Sequence, residues 1–514
     1  MLRLLFPIAI LSSMLAAMFA GPAAAQGVSA RSDHFVLMSD APVDARSLLT
    51  DLEDFRLAVM ADLGLDPGPD PVPLRLNIID DTQVFDAVTP GGITAAIYRQ
   101  SAAGHDIVVG YDPTPGHFLS RALEPGWLRL VLRHEVVHHI LETRYARKLP
   151  IWLGEGLAEY YSTYERGADG RVTFGRALPE QDPLSETQHW LPMRTVIENL
   201  ASYPDFRLVS GPDDPPFRAQ RLYYGQSWAL AHFVMDQPDG LASIHRFVDE
   251  WSPANDSEAS FEAAFGLGYD PLEARIRRDI VRDGGHLRLA PAVRRAGAAV
   301  SVSPAARLDR LENHLRLLLA HGRTSAATQA KIDAVRDRLG PTESTAALDL
   351  ARSQRSWRLQ DWDGADAAVT RVLARNPGDA TALKLRTKIA YGRVAGRQSE
   401  QELWDAAESA AIRALEARPD DPELHLFRVA VSLPTTERLS PGARASLDWL
   451  QARDIHLRLP HLSLMMIPAL IYEDRFDHAD AVLDSAARWT ERAEDQWVID
   501  RLRRNVGSER PASE

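Results

Sequence analysis

"RHEVVHHILETRYARKLPIWLGEGLAEYY", Arg133 to Tyr161, is the stretch on which the fold reading turns. His134 and His138 are four residues apart, so on a helix they stand one turn apart on one face and can offer two imidazoles to a single ion. Glu135 is rotated by about 100° from His134, which puts its carboxylate beside the open coordination position and outside the ligand shell. H-E-x-x-H on a helix is the pattern of two neutral nitrogen ligands with a base next to activated water. His139 breaks this register and is expected to pack or hydrogen-bond nearby. A short loop then leads to a second predicted helix on which Glu155 and Glu159, again four apart, share a face. Folded back, that helix brings Glu155 to the histidines and completes the His2Glu set of a catalytic Zn²⁺ site. Glu159 is then placed to accept the other N–H of a ligand histidine. The competing reading is a solvated, charged helix that happens to be rich in histidine.

Working outward, His34 to Asp40 reads as a strand and Val43 to Leu63 as an amphipathic helix. "VPLRLNIID" alternates like a half-buried strand, and "ITAAIYRQ" and "HDIVVGYDP" read as two more, separated by a turn. "HDIVVGYDP" is expected to be the sheet edge along which an extended peptide pairs. Helices follow, from about Leu119 to Thr143 and from about Trp152 to Tyr164. Strands first and helices afterwards predict an α+β domain over residues 26–286. The alanine-rich "LRLAPAVRRAGAAVSVSPAAR" around residues 287–302 is the expected linker.

Beyond it the pattern is helical and repeats. "DWDGADAAVTRVLARNPGDATAL" from Asp361 aligns with "ELWDAAESAAIRALEARPDDPEL" from Glu402, pairing Trp362 with Trp404, Ala365 with Ala407 and Pro377 with Pro419. "RFDHADAVLDSAARW" from Arg475 repeats the helix, with Phe476 and Ala479 in place. The offsets amount to one unit of about 34 residues plus insertions, so residues 303–505 resemble tetratricopeptide repeats, with a tail at 506–514. Stacked pairs of this kind bury their small and apolar face only against neighbours, and the surface they build is a site for a protein partner.

At 514 residues the chain is too long for one core. Its net charge of -13 argues against nucleic acid, whose binding rests on a basic surface that neutralises phosphates. Residues 1–25 read as a signal peptide: Arg3, an apolar run from Leu4 to Ala20, then Ala23-Ala24-Ala25 before Gln26. The chain contains no cysteine, which excludes disulfides and a cysteine-linked lipid anchor. No later run reaches the ~18 apolar residues of a bilayer span, so an exported protein, periplasmic or secreted, is expected.

"HEVVH" followed by "WLGEGLAEYY" resembles the gluzincin metallopeptidases, the clan of thermolysin and the aminopeptidase N family, and is most similar to bacterial peptidase-MA-like proteins. The resemblance covers about Ser32 to Asp283 and implies a zincin-like fold. It implies Zn²⁺ on His134, His138 and Glu155, with Glu135 as general base and a peptide or protein as substrate. The clan also uses a downstream tyrosine or histidine to steady the oxyanion. "RLYYGQSWALAHF" looks like the tyrosine-bearing helix start, which places Tyr224 in that role and leaves Tyr223 as the fallback. The clan's upstream G-x-M-E-N stretch, whose glutamate holds a substrate amine, has no counterpart here, so endopeptidase action is favoured over exopeptidase. The alternative function is a non-catalytic helical-repeat scaffold carrying an inactive zincin domain.

Overall fold

The computed structural model describes residues 27–68, 72–89, 94–101, 103–112, 114, 118–177, 190–198, 216–251, 257–283, 288–290, 297–340, 344–394, 401–432, 439–490 and 492–510. The expected signal peptide at 1–25 lies outside them. Strands β1 (Val28–Arg31), β2 (Phe35–Ser39), β3 (Leu74–Ile79), β4 (Ala96–Ser101) and β5 (Gly104–Gly110) interleave with helices α1 (Ala45–Asp62) and α2 (Thr82–Val88). A 3-10 turn then leads into α3 (Pro125–Arg144) and α4 (Ile151–Ser162). After the small strands β6 (Glu165–Arg166) and β7 (Val172–Phe174) come α5 (Met193–Ile197), α6 (Pro216–Met235), α7 (Gly240–Glu250), α8 (Ser257–Phe265) and α9 (Tyr269–Asp283). The result is an N-terminal region with a mixed sheet, followed by a long all-helical part.

The main sheet runs β4-β5-β3-β2-β1-β9, its last strand being β9 (Ser301–Pro304), with β2–β3 and β3–β5 parallel and the other pairs antiparallel. A second, three-stranded sheet runs β6-β7-β8, its last strand being β8 (Arg288–Ala290), and each sheet takes one strand from around the stretch expected as a linker. β8 pairs with β7, and β9 pairs with β1. The stretch 287–302, expected as a linker, therefore contributes strands to two sheets. β9 is "SVSP", exposed at every position, and a strand with no buried face carries no apolar alternation by which to find it. The edge assignment is also corrected. β5, within "HDIVVGYDP", lies between β4 and β3, and β4 is the outermost strand on that side.

Alternation divides the sheet's faces. Leu76, Ile78, Ile107 and Val109 pack with the helices of the N-terminal core, α1 and α3 among them. Ile79 and Val108 pack on the opposite face against leucines of α10 (Arg307–His321). On that second face Asp106 is fully buried and serves as the bolt between the two parts of the chain. It accepts from Arg316 Nη2 at 2.8 Å, His321 Nε2 at 2.8 Å, Arg75 Nε at 3.1 Å and Asn77 Nδ2 at 3.1 Å. Burial alone would raise the Asp106 pKa, but the Arg316 and Arg75 charges and the His321 bond hold it well below the carboxylate range.

From α10 the chain continues as α11 (Ala326–Leu339), α12 (Ala346–Arg358), α13 (Trp362–Arg375), α14 (Ala380–Val394), α15 (Gln401–Ala417) and α16 (Pro422–Ser432). Next are α17 (Pro441–Gln451), α18 (Ile455–Arg458), α19 (Pro460–Ser463) and α20 (Ile467–Tyr472). The last two are α21 (Phe476–Arg488) and α22 (Ala493–Glu509), so the helix runs past residue 505 into the stretch expected as a tail. The three aligned alanines, Ala365, Ala407 and Ala479, are each fully buried, as small residues at helix crossings must be. Among the described residues no helix is long and apolar enough to cross a membrane.

Candidate metal centre

α3 begins with Pro125 at its first turn, where a missing N–H leaves nothing unpaired. Leu128, Leu132, Val136 and Ile140 form its buried stripe, four residues apart, and His134 and His138 lie off that stripe, only partly buried. Arg133 fixes the rotation of the helix: its guanidinium grips Asp51 of α1 at 2.6 and 3.0 Å and donates to Tyr164 O at 2.8 Å. α4 packs between α3 and α6 and is buried along nearly its whole length. At Gly156 an added Cβ would meet Ser227 O at 2.2 Å, so glycine is what lets α6 approach α4 so closely.

This packing brings three donors together. His134 Nε2 and His138 Nε2 are 3.1 Å apart, and Glu155 Oε2 is 3.3 Å from the first and 3.5 Å from the second. Donors held at ~2.0–2.2 Å by one tetrahedral ion stand about 3.3–3.6 Å from one another, so the triangle has the size such an ion requires. Two imidazole nitrogens and one carboxylate oxygen are also the donor chemistry that zinc takes. Glu159 Oε1 sits 3.1 Å from His134 Nδ1, on the ring side away from the triangle. A carboxylate there keeps Nδ1 protonated and turns Nε2 toward the other donors.

Glu135 lies outside the triangle. Its Oε2 accepts the backbone N–H of Tyr98, on β4, at 2.8 Å; among the described residues no hydrogen bond engages Oε1. Burial raises the Glu135 pKa, and repulsion from Glu155 adds to this against the pull of His134, His138 and the Tyr98 N–H. A carboxylate shifted this way is a better proton acceptor. For His134, burial opposes protonation, but Glu159 and Glu155 outweigh it and hold the pKa well above the usual imidazole value. His138 is raised against burial by Glu155. Glu155 itself is held far below the carboxylate range, because His138 and His134 overcome its burial.

Tyr224, on α6, has its ring 6.4 Å from that of His134, and Gln220 Nε2 donates to its hydroxyl at 3.3 Å. Burial and the charge of Glu155 push its pKa well above that of a free phenol, so it stays a donor. Tyr223 is fully buried, which puts it in the core. His139 turns away from the triangle: its Nδ1 is 3.3 Å from the Tyr98 hydroxyl, which also meets His105 Nδ1 at 2.6 Å. Tyr98 was not singled out by the sequence. Its contribution to Glu135 is a backbone N–H, which any residue supplies, so no side-chain pattern could have pointed to it.

Over residues 131–255 the chain is similar to a family described as "Protein of unknown function (DUF1570)". That window holds His134, Glu135, His138, Glu155, Glu159 and Tyr224. No curated protein and no solved structure matches the chain.

Proposed function

We propose that the protein is an exported zinc-dependent metallopeptidase with a zincin-like N-terminal domain and tetratricopeptide-like repeats after it. The observation that carries this reading is the 3.1, 3.3 and 3.5 Å triangle of His134, His138 and Glu155, with Glu135 beside it. When bound, zinc supplies Lewis acidity, which makes water nucleophilic near neutral pH and polarises a carbonyl. Glu135 takes the proton of the attacking water on its carboxylate and delivers it to the leaving amine nitrogen. The Tyr224 hydroxyl donates to the scissile carbonyl oxygen, more strongly as negative charge develops there. The Tyr98 N–H holds Glu135 against the outermost strand, so an extended substrate lying along β4 runs past the base. Peptide or protein is the substrate, and the repeats offer a surface for a protein partner. Incubation with mixed peptides should show cleavage that a chelator removes and stoichiometric zinc restores. Cleavage that persists after complete metal removal, or none in the zinc-loaded protein, contradicts the assignment.

Zinc uptake should depend on pH with a definite sign. His134 and His138 are raised, so the metal-free site holds protons that the neutral-imidazole ligand set must release. Affinity should therefore rise with pH and fall by about tenfold per pH unit for each proton displaced, once the pH is below the raised imidazole values. Zinc titrations in buffers of different ionisation enthalpy read the proton count directly. Affinity unchanged from pH 5.5 to 8, with no proton released, contradicts it.

A further inference from the structure

We infer that α18, in the helical part of the chain, clamps the turn between the two helices that carry the metal donors, and that Arg458 is a positioning residue for Glu155. The inference rests on the zinc reading of the site. His134 and His138 lie on α3 and Glu155 on α4, and only the segment Tyr145–Pro150 joins the two helices. That segment decides where the carboxylate stands relative to the imidazoles.

A helix leaves its last four carbonyls without partners of its own, and here the helical part supplies a donor to two of them from more than 300 residues away. Arg458 Nη2 donates to Thr143 O at 2.7 Å and to Glu142 O at 3.1 Å. A guanidinium at this end also complements the helix dipole, and charge-assisted bonds of this kind are stronger than neutral ones. The adjacent residue holds the turn itself: Leu457 O accepts the Lys148 N–H at 2.8 Å. The Lys148 ammonium lies 4.7 Å over the ring of Trp489, at the end of α21. At the start of the turn the Tyr145 hydroxyl meets His245 Nε2 at 2.6 Å. The turn is therefore gripped from both parts: Tyr145 and Arg147, which pairs with Asp249, tie it to the N-terminal region, and Lys148 ties it to the helical part.

The geometry of the triangle makes such a grip matter. With donor separations of 3.1–3.5 Å, a shift of ~1 Å in α4 takes Glu155 out of bonding range and leaves two ligands. The bond from His134 to Glu159 still ties α3 to α4, so release of the clamp should loosen the site without abolishing it.

The test uses the full chain as wild type, Arg458→Ala, Arg458→Lys and Arg323→Ala, read by zinc affinity and by the visible spectrum of the Co²⁺-substituted protein. Arg323 Nη2 donates to Asp86 O at 2.7 Å, another arginine-to-carbonyl contact between the two parts, away from the turn. Arg458→Ala should weaken zinc by about tenfold, the lower end for outer partners of a metal site, and reduce the intensity of the tetrahedral cobalt bands. Arg458→Lys, which keeps the cation on a shorter side chain, should fall between, and Arg323→Ala should match wild type. An Arg458→Ala protein with wild-type affinity and spectrum overturns the inference. So does an Arg323→Ala protein weakened to the same extent, which would make the effect one of general docking. Should Arg458→Ala not fold, Arg458→Lys with wild-type affinity and spectrum overturns it equally. A wild-type chain that takes up no metal defeats the zinc reading itself, and this inference with it.

Discussion

Glu135→Gln should keep its zinc and lose its turnover, with kcat falling by about 10²–10⁴-fold, the range a positioned general base supplies. The amide has the size and shape of the carboxylate, and its oxygen still accepts the Tyr98 N–H that holds Glu135 at 2.8 Å. What it loses is the ability to accept a proton from water. Burial and Glu155 raise the pKa of this carboxyl, so the group being replaced is a stronger base than an exposed glutamate. Because Glu135 is outside the donor triangle, zinc stoichiometry should stay at the wild-type value. KM should change little, since the interaction removed acts in the transition state. Parallel measurement of metal content and steady-state rates decides the matter. A variant that cleaves at the wild-type rate removes Glu135 from the mechanism, and one that has lost its zinc makes Glu135 part of the metal site.

Tyr224→Phe should lower kcat by about 10²–10³-fold, roughly 3–4 kcal/mol of transition-state stabilisation, with far less effect on KM. The ring packs beside His134, and phenylalanine keeps that packing, so fold and metal binding should survive. The Gln220 contact at 3.3 Å is long for a hydrogen bond and contributes little to stability. A buried phenol whose pKa is raised by Glu155 remains protonated throughout the working range, so the effect should not vary with pH between 6 and 9. Wild-type turnover in this variant would make Tyr224 only a packed aromatic. Tyr223 would not replace it, because it is fully buried inside the core.

The placement of the site residues was legible because local geometry dictates it. The i, i+4 spacing of His134 and His138 fixes one face of α3, and a short turn leaves α4 little choice but to pack back on it. Glu155 and Glu159, one turn apart, then meet the Nε2 and Nδ1 sides of the same imidazole. The edge strand was misassigned although the signal was present. "HDIVVG" carries the continuous apolar run of a strand covered on both faces, whereas "AIYRQS" mixes half-exposed polar residues as an outer strand does. What could not be read is what depends on distant pairing. β9 joins β1 across some 270 residues, and its exposed "SVSP" has no pattern to announce it. Arg458 is one arginine among many in the helical part, and only the folded chain shows that it reaches the carbonyls of α3.

One zinc ion should sit on His134, His138 and Glu155. X-ray absorption at the zinc edge, on the metal-free chain reloaded with one equivalent, tests it most directly. The spectrum should show a four-coordinate site with N and O donors at ~2.0–2.2 Å and the outer-shell scattering of two imidazoles. His138→Ala and Glu155→Ala should each lose that signature. A six-coordinate, oxygen-only spectrum, or one that neither substitution changes, would place the metal elsewhere and rule out this donor set.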